Sequence, residues 1–295
     1  MKISSTCVPC LIKRIIFEAE QSNVDEETKT KAIQTACAMI ASLYDPSKVS
    51  ARVATVIHRR IYDILENNDP YADLKKESNR VALSLVDRVD EFIKQAEDPL
   101  KMSMICSIVG NTLDFGIEGA SNNPARLTEL FEDLVSEGLG HDDSERVKDI
   151  LTKSDRIVLF TDNCGEIVFD KLFIRELKLF NPDLQISLVV KGEPVLSDAT
   201  MKEAADLGFE DVVDEMFTTG CFAVGVDFKK LPPKVLQRLK DADLIVCKGM
   251  ANFESFSETD FFPIVFLLRT KCNPIASAMN VAQDRNIIKL YETSY

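Results

Sequence analysis

Ile157-Val158-Leu159-Phe160, followed at once by Thr161-Asp162-Asn163-Cys164-Gly165-Glu166, is the passage on which the fold turns. Its first half is an apolar, β-branched run of strand length, and its second half is polar and small. Phe169, Leu172, Phe173, Leu177 and Phe180 then share one helical face. The same order recurs downstream. Ile186-Ser187-Leu188-Val189-Val190 leads into Lys191-Gly192 and then Ser197-Asp198, and Leu244-Ile245-Val246-Cys247 leads into Lys248-Gly249, Asn252 and Glu254. Ile264 to Leu268 leads into Arg269-Thr270-Lys271; so short a run fits a strand or a buried helix, and it is read here as a strand. Strands apolar on both faces that alternate with helices indicate an α/β fold with a doubly wound, mostly parallel sheet.

Upstream the period is helical. Residues 25–44 carry Ala32, Ile33, Ala36, Cys37, Ile40 and Leu43 at spacings of three and four, and Pro46 ends the segment. Residues 49–65 repeat the pattern through Val53, Val56, Ile57, Ile61 and Leu65, up to the turn at Asn67-Asn68-Asp69-Pro70. A third helix is expected over 71–96, with Leu74, Val81, Leu85, Val89 and Ile93 on one side. Three such stripes bury one another most simply in a small bundle. The expected organisation is a helical bundle domain over 1–98 and an α/β domain over 99–295. Within the latter, the acidic stretch 136–149 reads as a solvated helix-and-loop surface.

Composition narrows the function. The 295 residues include 35 Lys and Arg against 48 Asp and Glu, a net charge of −13. That field repels nucleic acid and anionic lipid, so an anionic ligand has to be held by local cations or a metal. No apolar run approaches the ~20 residues that span a bilayer, and the start of the chain lacks a signal-peptide core, which points to the cytoplasm. The eight cysteines are dispersed and read as thiols. The 17 Phe, with no Trp, read as core filling.

In an open parallel sheet the carboxyl ends of the strands face one edge, and ligands bind in the crevice there. Asp162, Asn163 and Asp198 then offer hard oxygen donors suited to Mg²⁺, Mn²⁺ or a similar ion. The lysines suit a phosphate. Gly165 permits a sharp strand-to-helix turn with free amides at the helix N-terminus, where an anion is stabilised. Taken singly, Asp162, Asn163, Ser197 and Asp198 serve equally well as helix caps, and Lys248-Gly249 as an ordinary turn. Their shared position at one end of consecutive strands favours a site.

The string from Asp162 to Asp170, with Lys248-Gly249-Met250-Ala251-Asn252-Phe253-Glu254 and Lys271-Cys272, closely resembles DUF89, the family once called domain of unknown function 89 and now described as ARMT1-like damage-control phosphatases. Cys7-Val8-Pro9-Cys10, Asp69-Pro70-Tyr71 and the stretch from Gly110 to Phe115 resemble its archaeal-type branch, so the likeness covers nearly the whole chain. It implies a helical domain joined to a three-layer α/β domain, and hydrolysis of small phosphorylated metabolites such as sugar phosphates, often damaged or surplus ones. It also implies one divalent ion (Mn, Ni, Co or Mg) on Asp162, Asn163 and Asp198, with phosphate contacts on Asn252, Lys248 and Lys271. In a related branch the last motif reads Arg-Thr-x-Lys, whereas here it is Arg269-Thr270-Lys271-Cys272. Glu166 or Asp114 would take a proton from an attacking water; Asp162 as a nucleophile is the alternative.

Other chemistries fit parts of the same sequence. Methyl transfer from S-adenosylmethionine to a carboxylate, proposed for eukaryotic relatives, lacks a glycine-rich loop after the first strand. A non-catalytic metal- or metabolite-binding protein has the same signature as the phosphatase. Cys7 and Cys10 supply two of the four ligands of a structural zinc site, and Cys272 would join them only if the amino terminus folds back. A cysteine nucleophile would need a histidine; His58, in a helix, and His141, in the acidic loop, are not near a strand end. Gly110-Asn111 reads first as a turn, and the resemblance places it beside the crevice.

Overall fold

Helices fill the first part of the chain, as its apolar spacing requires. In the computed structural model, which describes residues 1–111 and 125–293, α1 (Cys7–Gln21), α2 (Glu26–Leu43) and α3 (Ser50–Leu65) precede α4 (Ala72–Ser84) and α5 (Val86–Gln95). Asp25 starts α2 by accepting the Thr28 amide proton at 2.8 Å. The single helix expected over 71–96 is two. Apolar spacings of four drift around a 3.6-residue helix, and the break at the buried Leu85 keeps both halves facing the core.

Next come α6 (Pro99–Gly110), α7 (Ala125–Ser136), β1 (Leu139–Asp142) and α8 (Ser144–Leu151). Asp98 caps α6 from the Lys101 amide at 3.0 Å, with Pro99 as its first residue. The acidic stretch 136–149 is therefore not simply solvated helix and loop. It contains β1, an edge strand whose residues alternate between half-buried and exposed, so no apolar run announced it.

The remaining elements alternate as expected: β2 (Arg156–Phe160), α9 (Glu166–Phe180), β3 (Gln185–Val190), α10 (Met201–Asp206), a 3₁₀ turn at Phe209–Asp211, β4 (Glu215–Thr218), α11 (Pro233–Asp241), β5 (Leu244–Lys248), α12 (Gly249–Phe256), β6 (Ile264–Arg269), α13 (Asn273–Ala278) and β7 (Asn286–Tyr291). They build a seven-stranded sheet in the order β1-β7-β6-β5-β2-β3-β4. All neighbours are parallel except β6 and β7. The four strands read from sequence are its centre, and β4, β7 and β1 complete it. After β2 the chain moves outward to β3 and β4, then returns to the other side of β2 with β5 and β6. The carboxyl ends of β2 and β5 thus flank the switch point, where open α/β sheets bind ligands.

Helices α6, α8 and α9 cover one face of the sheet through Met104, Val147, Phe173 and Leu177. On the other face lie α11, α12 and α13, through Val235, Phe253, Phe256 and Ile275. The helical region packs on the outer side of α9: Ile15, Ala36, Ile57, Ile61 and Val89 share one core with Val168, Phe169, Leu172, Leu196 and Val224. Among the described residues no helix is long and apolar enough to cross a membrane.

Candidate active site

Asp162 and Asn163 follow β2 directly, and Ser197 and Asp198 lie in the loop after β3. An isolated backbone bridge pairs Asn163 with Asp198. On either side, the Cys164 amide donates to the Ser197 carbonyl and the Ala199 amide to the Asp162 carbonyl, both at 2.8 Å. Two loops that follow adjacent parallel strands are thereby laced together, and their carboxylates are 5% and 4% exposed. Asn163 Nδ2 donates to Asp162 Oδ2 at 2.7 Å, while Asn163 Oδ1 accepts from Ser197 Oγ at 2.6 Å. Lys191 Nζ lies 3.1 Å from Asp198 Oδ2.

A buried ionic layer backs this group. Lys248, at the end of β5, has no exposed surface; its Nζ donates to Asp170 Oδ1 at 2.6 Å and to Glu166 Oε1. Ser107 Oγ adds a hydrogen bond to Asp170 at 2.7 Å. Burial pushes the Glu166 carboxyl up, Asp170 and Asp162 push the same way, and Lys248 opposes them. Lys248 keeps its charge, because Asp170 and Glu166 more than offset its burial.

Asn111 joins the two layers. Its Nδ2 donates to Asp162 Oδ2 at 2.8 Å and to Glu166 Oε2, and its Oδ1 accepts from Lys271 Nζ at 2.6 Å. Sequence reasoning left Asn111 out of the main site because a Gly-Asn pair reads as a turn; only contacts over 51 and 160 residues of chain reveal its place. Gly249 was missed as well. At φ +73° a Cβ there would lie 1.9 Å from Asp162 Oδ2, so glycine alone lets the start of α12 pass this carboxylate. Asp114 lies outside the described residues.

Asp162, Asn163, Asp198 and Lys271 line one cavity of about 340 Å³. The other expected contacts stand behind its wall. Gly165 does turn the chain, at φ +88°, but its amide donates to Asn79 Oδ1 at 2.6 Å. The Cys164 amide is held by Ser197 and that of Asn163 by Glu166 Oε2, so the three amides of this turn are already bonded. Lys248 is turned to its carboxylates. Asn252, 1% exposed, donates through Nδ2 to the carbonyls of Lys248 and Thr161 at 2.7 and 3.0 Å, tying α12 to the end of β2. Arg269 pairs with Glu137 and Asp284, each at 2.9 Å, which leaves Lys271 as the cation from that motif at the cavity.

The opposite wall comes from the helical region. The amino terminus does fold back: Cys7, Cys10 and Lys13 of α1, Ala54 and His58 of α3, and Cys272 before α13 line the same cavity. Burial raises the Cys7 thiol and pushes Cys272 up to about 12, so both stand as thiols at neutral pH. Among the described residues no three His, Cys, Asp or Glu side chains converge closely enough to hold a metal ion. Two carboxylates and a carboxamide on Asp162, Asn163 and Asp198 do fit a hard divalent cation that keeps part of its water. Among the described residues, the buried carboxylates of Asp162, Glu166, Asp170 and Asp198 lie beside two buried lysines, Lys191 and Lys248, with Lys271 half-buried at the cavity.

Residues 3–287 match the family model of the damage-control phosphatase ARMT1-like domain. The chain is 37% identical over 292 residues to a damage-control phosphatase of Archaeoglobus fulgidus, covering 99% of this chain and 100% of that protein. It is 32% identical over 295 residues to an uncharacterized protein of Methanocaldococcus jannaschii, covering 98% and 95% of the two. A damage-control phosphatase of Pyrococcus horikoshii is 27% identical over 281 residues, 95% of each chain. The crystal structure of a DUF89 family protein from Pyrococcus horikoshii superposes with a TM-score of 0.88 at 26% identity, over 98% of this chain and 99% of that one. With fold, length and sequence in agreement, the chain belongs to the ARMT1-like damage-control phosphatase family.

Proposed function

We propose that this protein is a metal-dependent phosphatase acting on small phosphorylated metabolites, such as sugar phosphates and damaged or surplus phosphometabolites. The observation that carries the reading is the lacing of Asn163 to Asp198 beside the switch point, which sets two carboxylates and a carboxamide on one cavity with Lys271. Relatives that match this chain over nearly its whole length are named damage-control phosphatases. A cavity of about 340 Å³ suits a small molecule.

Asp162, Asn163 and Asp198 would hold one divalent ion, Mn²⁺, Ni²⁺, Co²⁺ or Mg²⁺. When bound, such an ion supplies Lewis acidity and charge neutralisation for phosphoryl transfer to water. The Lys271 ammonium neutralises charge on the phosphoryl oxygens. Asn111, held between Lys271 and Asp162, fixes the separation of that cation from that carboxylate. Lys248 acts from behind, holding Glu166 and Asp170 in place, and Asn252 fixes the strand end that carries Asp162.

Asp162→Ala tests the reading. It should lower the hydrolysis of p-nitrophenyl phosphate in the presence of Mn²⁺ by at least about 10²–10³-fold, the scale expected when an electrostatic contact to the reacting group is lost. Undiminished turnover would reject the assignment.

A further inference from the structure

His58 lies in α3, far in sequence from every strand end, yet it lines the same cavity as Asp162, Asn163 and Asp198. Its ring is 1% exposed. Nδ1 sits 2.8 Å from Oε1 and 3.1 Å from Oε2 of Glu18, a fully buried carboxylate of α1 that also lies 3.4 Å from Tyr71 Oη. That contact commits Nδ1 to carrying a proton. The other ring nitrogen, Nε2, is buried with no hydrogen-bond partner among the described residues. Leaving such a group unsatisfied is unfavourable, so an unpaired Nε2 on a ring that borders a cavity calls for a polar atom to complete its bonding.

A buried carboxylate on Nδ1 does two things to an imidazole. It fixes the ring orientation, and it stabilises the imidazolium that carries a proton on Nε2. The strand-end wall gathers the groups suited to the phosphoryl oxygens, and His58 borders the same cavity from the helical wall.

We propose that His58, oriented by Glu18, is the proton donor to the leaving group. This rests on the phosphatase reading above. In the step, the bond from phosphorus to the ester oxygen breaks as the oxygen of water bonds to phosphorus. The ester oxygen takes the proton from Nε2 and departs as an alcohol, the proton of the attacking water leaves to solvent, and the neutral imidazole regains a proton from solvent. Nothing is oxidised or reduced. His58 is the catalytic residue here and Glu18 a positioning residue.

The test compares two leaving groups on the full-length protein with Mn²⁺. p-Nitrophenol is acidic and departs readily without a proton, whereas the alcohol of glycerol 2-phosphate departs poorly without one. His58→Asn should lower kcat on glycerol 2-phosphate by about 10²–10⁴-fold, the usual contribution of general acid catalysis, and kcat on p-nitrophenyl phosphate by a small part of that. Glu18→Gln should give the same split in milder form, which a merely structural loss would not produce. Retained hydrolysis of the aryl ester reports that each variant is folded. Equal losses on both substrates in His58→Asn and His58→Gln alike, or no loss on either, would overturn the proposal. A wild-type protein that hydrolyses neither ester with any of the four metals would instead overturn the phosphatase reading, and this proposal with it.

Discussion

The two walls of the cavity are held by different kinds of bond. On the strand side the fixing interactions are ionic and deep: Lys248 between Glu166 and Asp170, and Lys191 against Asp198. The helical side has its own charged contacts, Glu18 with His58, Lys75 with Asp69 and, at the surface, Arg59 with Glu193, but it also grips the strand-end loops through neutral groups that accept their backbone amides. Tyr62 Oη accepts from Leu196 at 3.1 Å, Thr55 Oγ1 from Val224 at 2.9 Å and Asn79 Oδ1 from Gly165 at 2.6 Å. Loops cannot leave buried amides unpaired, so here the helices complete the loops. The helical region therefore shapes the cavity through the loops as well as through its own lining residues.

Three substitutions probe that contrast. Lys248→Met leaves two carboxylates buried without their cation, and breaking such a pair typically costs about 3–5 kcal/mol. Urea unfolding should show a loss of that size; a loss near zero would mean that the ionic layer does not hold the strand side. Tyr62→Phe strands the buried Leu196 amide two residues from Asp198. About 1–3 kcal/mol is expected, together with weaker metal-supported turnover, and wild-type stability would break the claim that the helices hold that loop. The smallest effect should come from Asp25→Ala. Asp25 caps α2 by accepting the Thr28 amide, α2 contributes no residue to the cavity lining, and removal of the cap should lower the unfolding free energy by less than either change above with turnover unaltered. A marked fall in activity there would extend the site beyond the two walls.

The strand side was readable in advance because each of its side chains follows an apolar run. Phe160 ends such a run and Asp162 comes next; Val190 ends another and Asp198 lies a loop away. The roles of Lys248, Asn252 and Gly165 were not readable. Proximity to a strand end says that a group is near the crevice, but whether it faces the cavity depends on what packs against it. Lys248 is drawn inward by Asp170, which belongs to α9, and the amide of Gly165 is taken by Asn79 of α4. On the helical side His58 passed for an ordinary helix residue. The apolar period marks the buried face of a helix and is silent about a polar group buried on it.

By itself, then, the order of apolar runs and polar turns determined an α/β chain with a parallel central sheet behind a set of helices, because burial on one face or two imposes its own period on a sequence. It also determined which segments carry the oxygen donors. Only the tertiary structure decided which side chains reach the cavity and which stand behind it, that Asn111 binds both layers, and that His58 borders the same cavity as Asp162. Those outcomes depend on hydrogen bonds and ion pairs between residues far apart in the chain, and no local pattern encodes a partner that folding has yet to bring near.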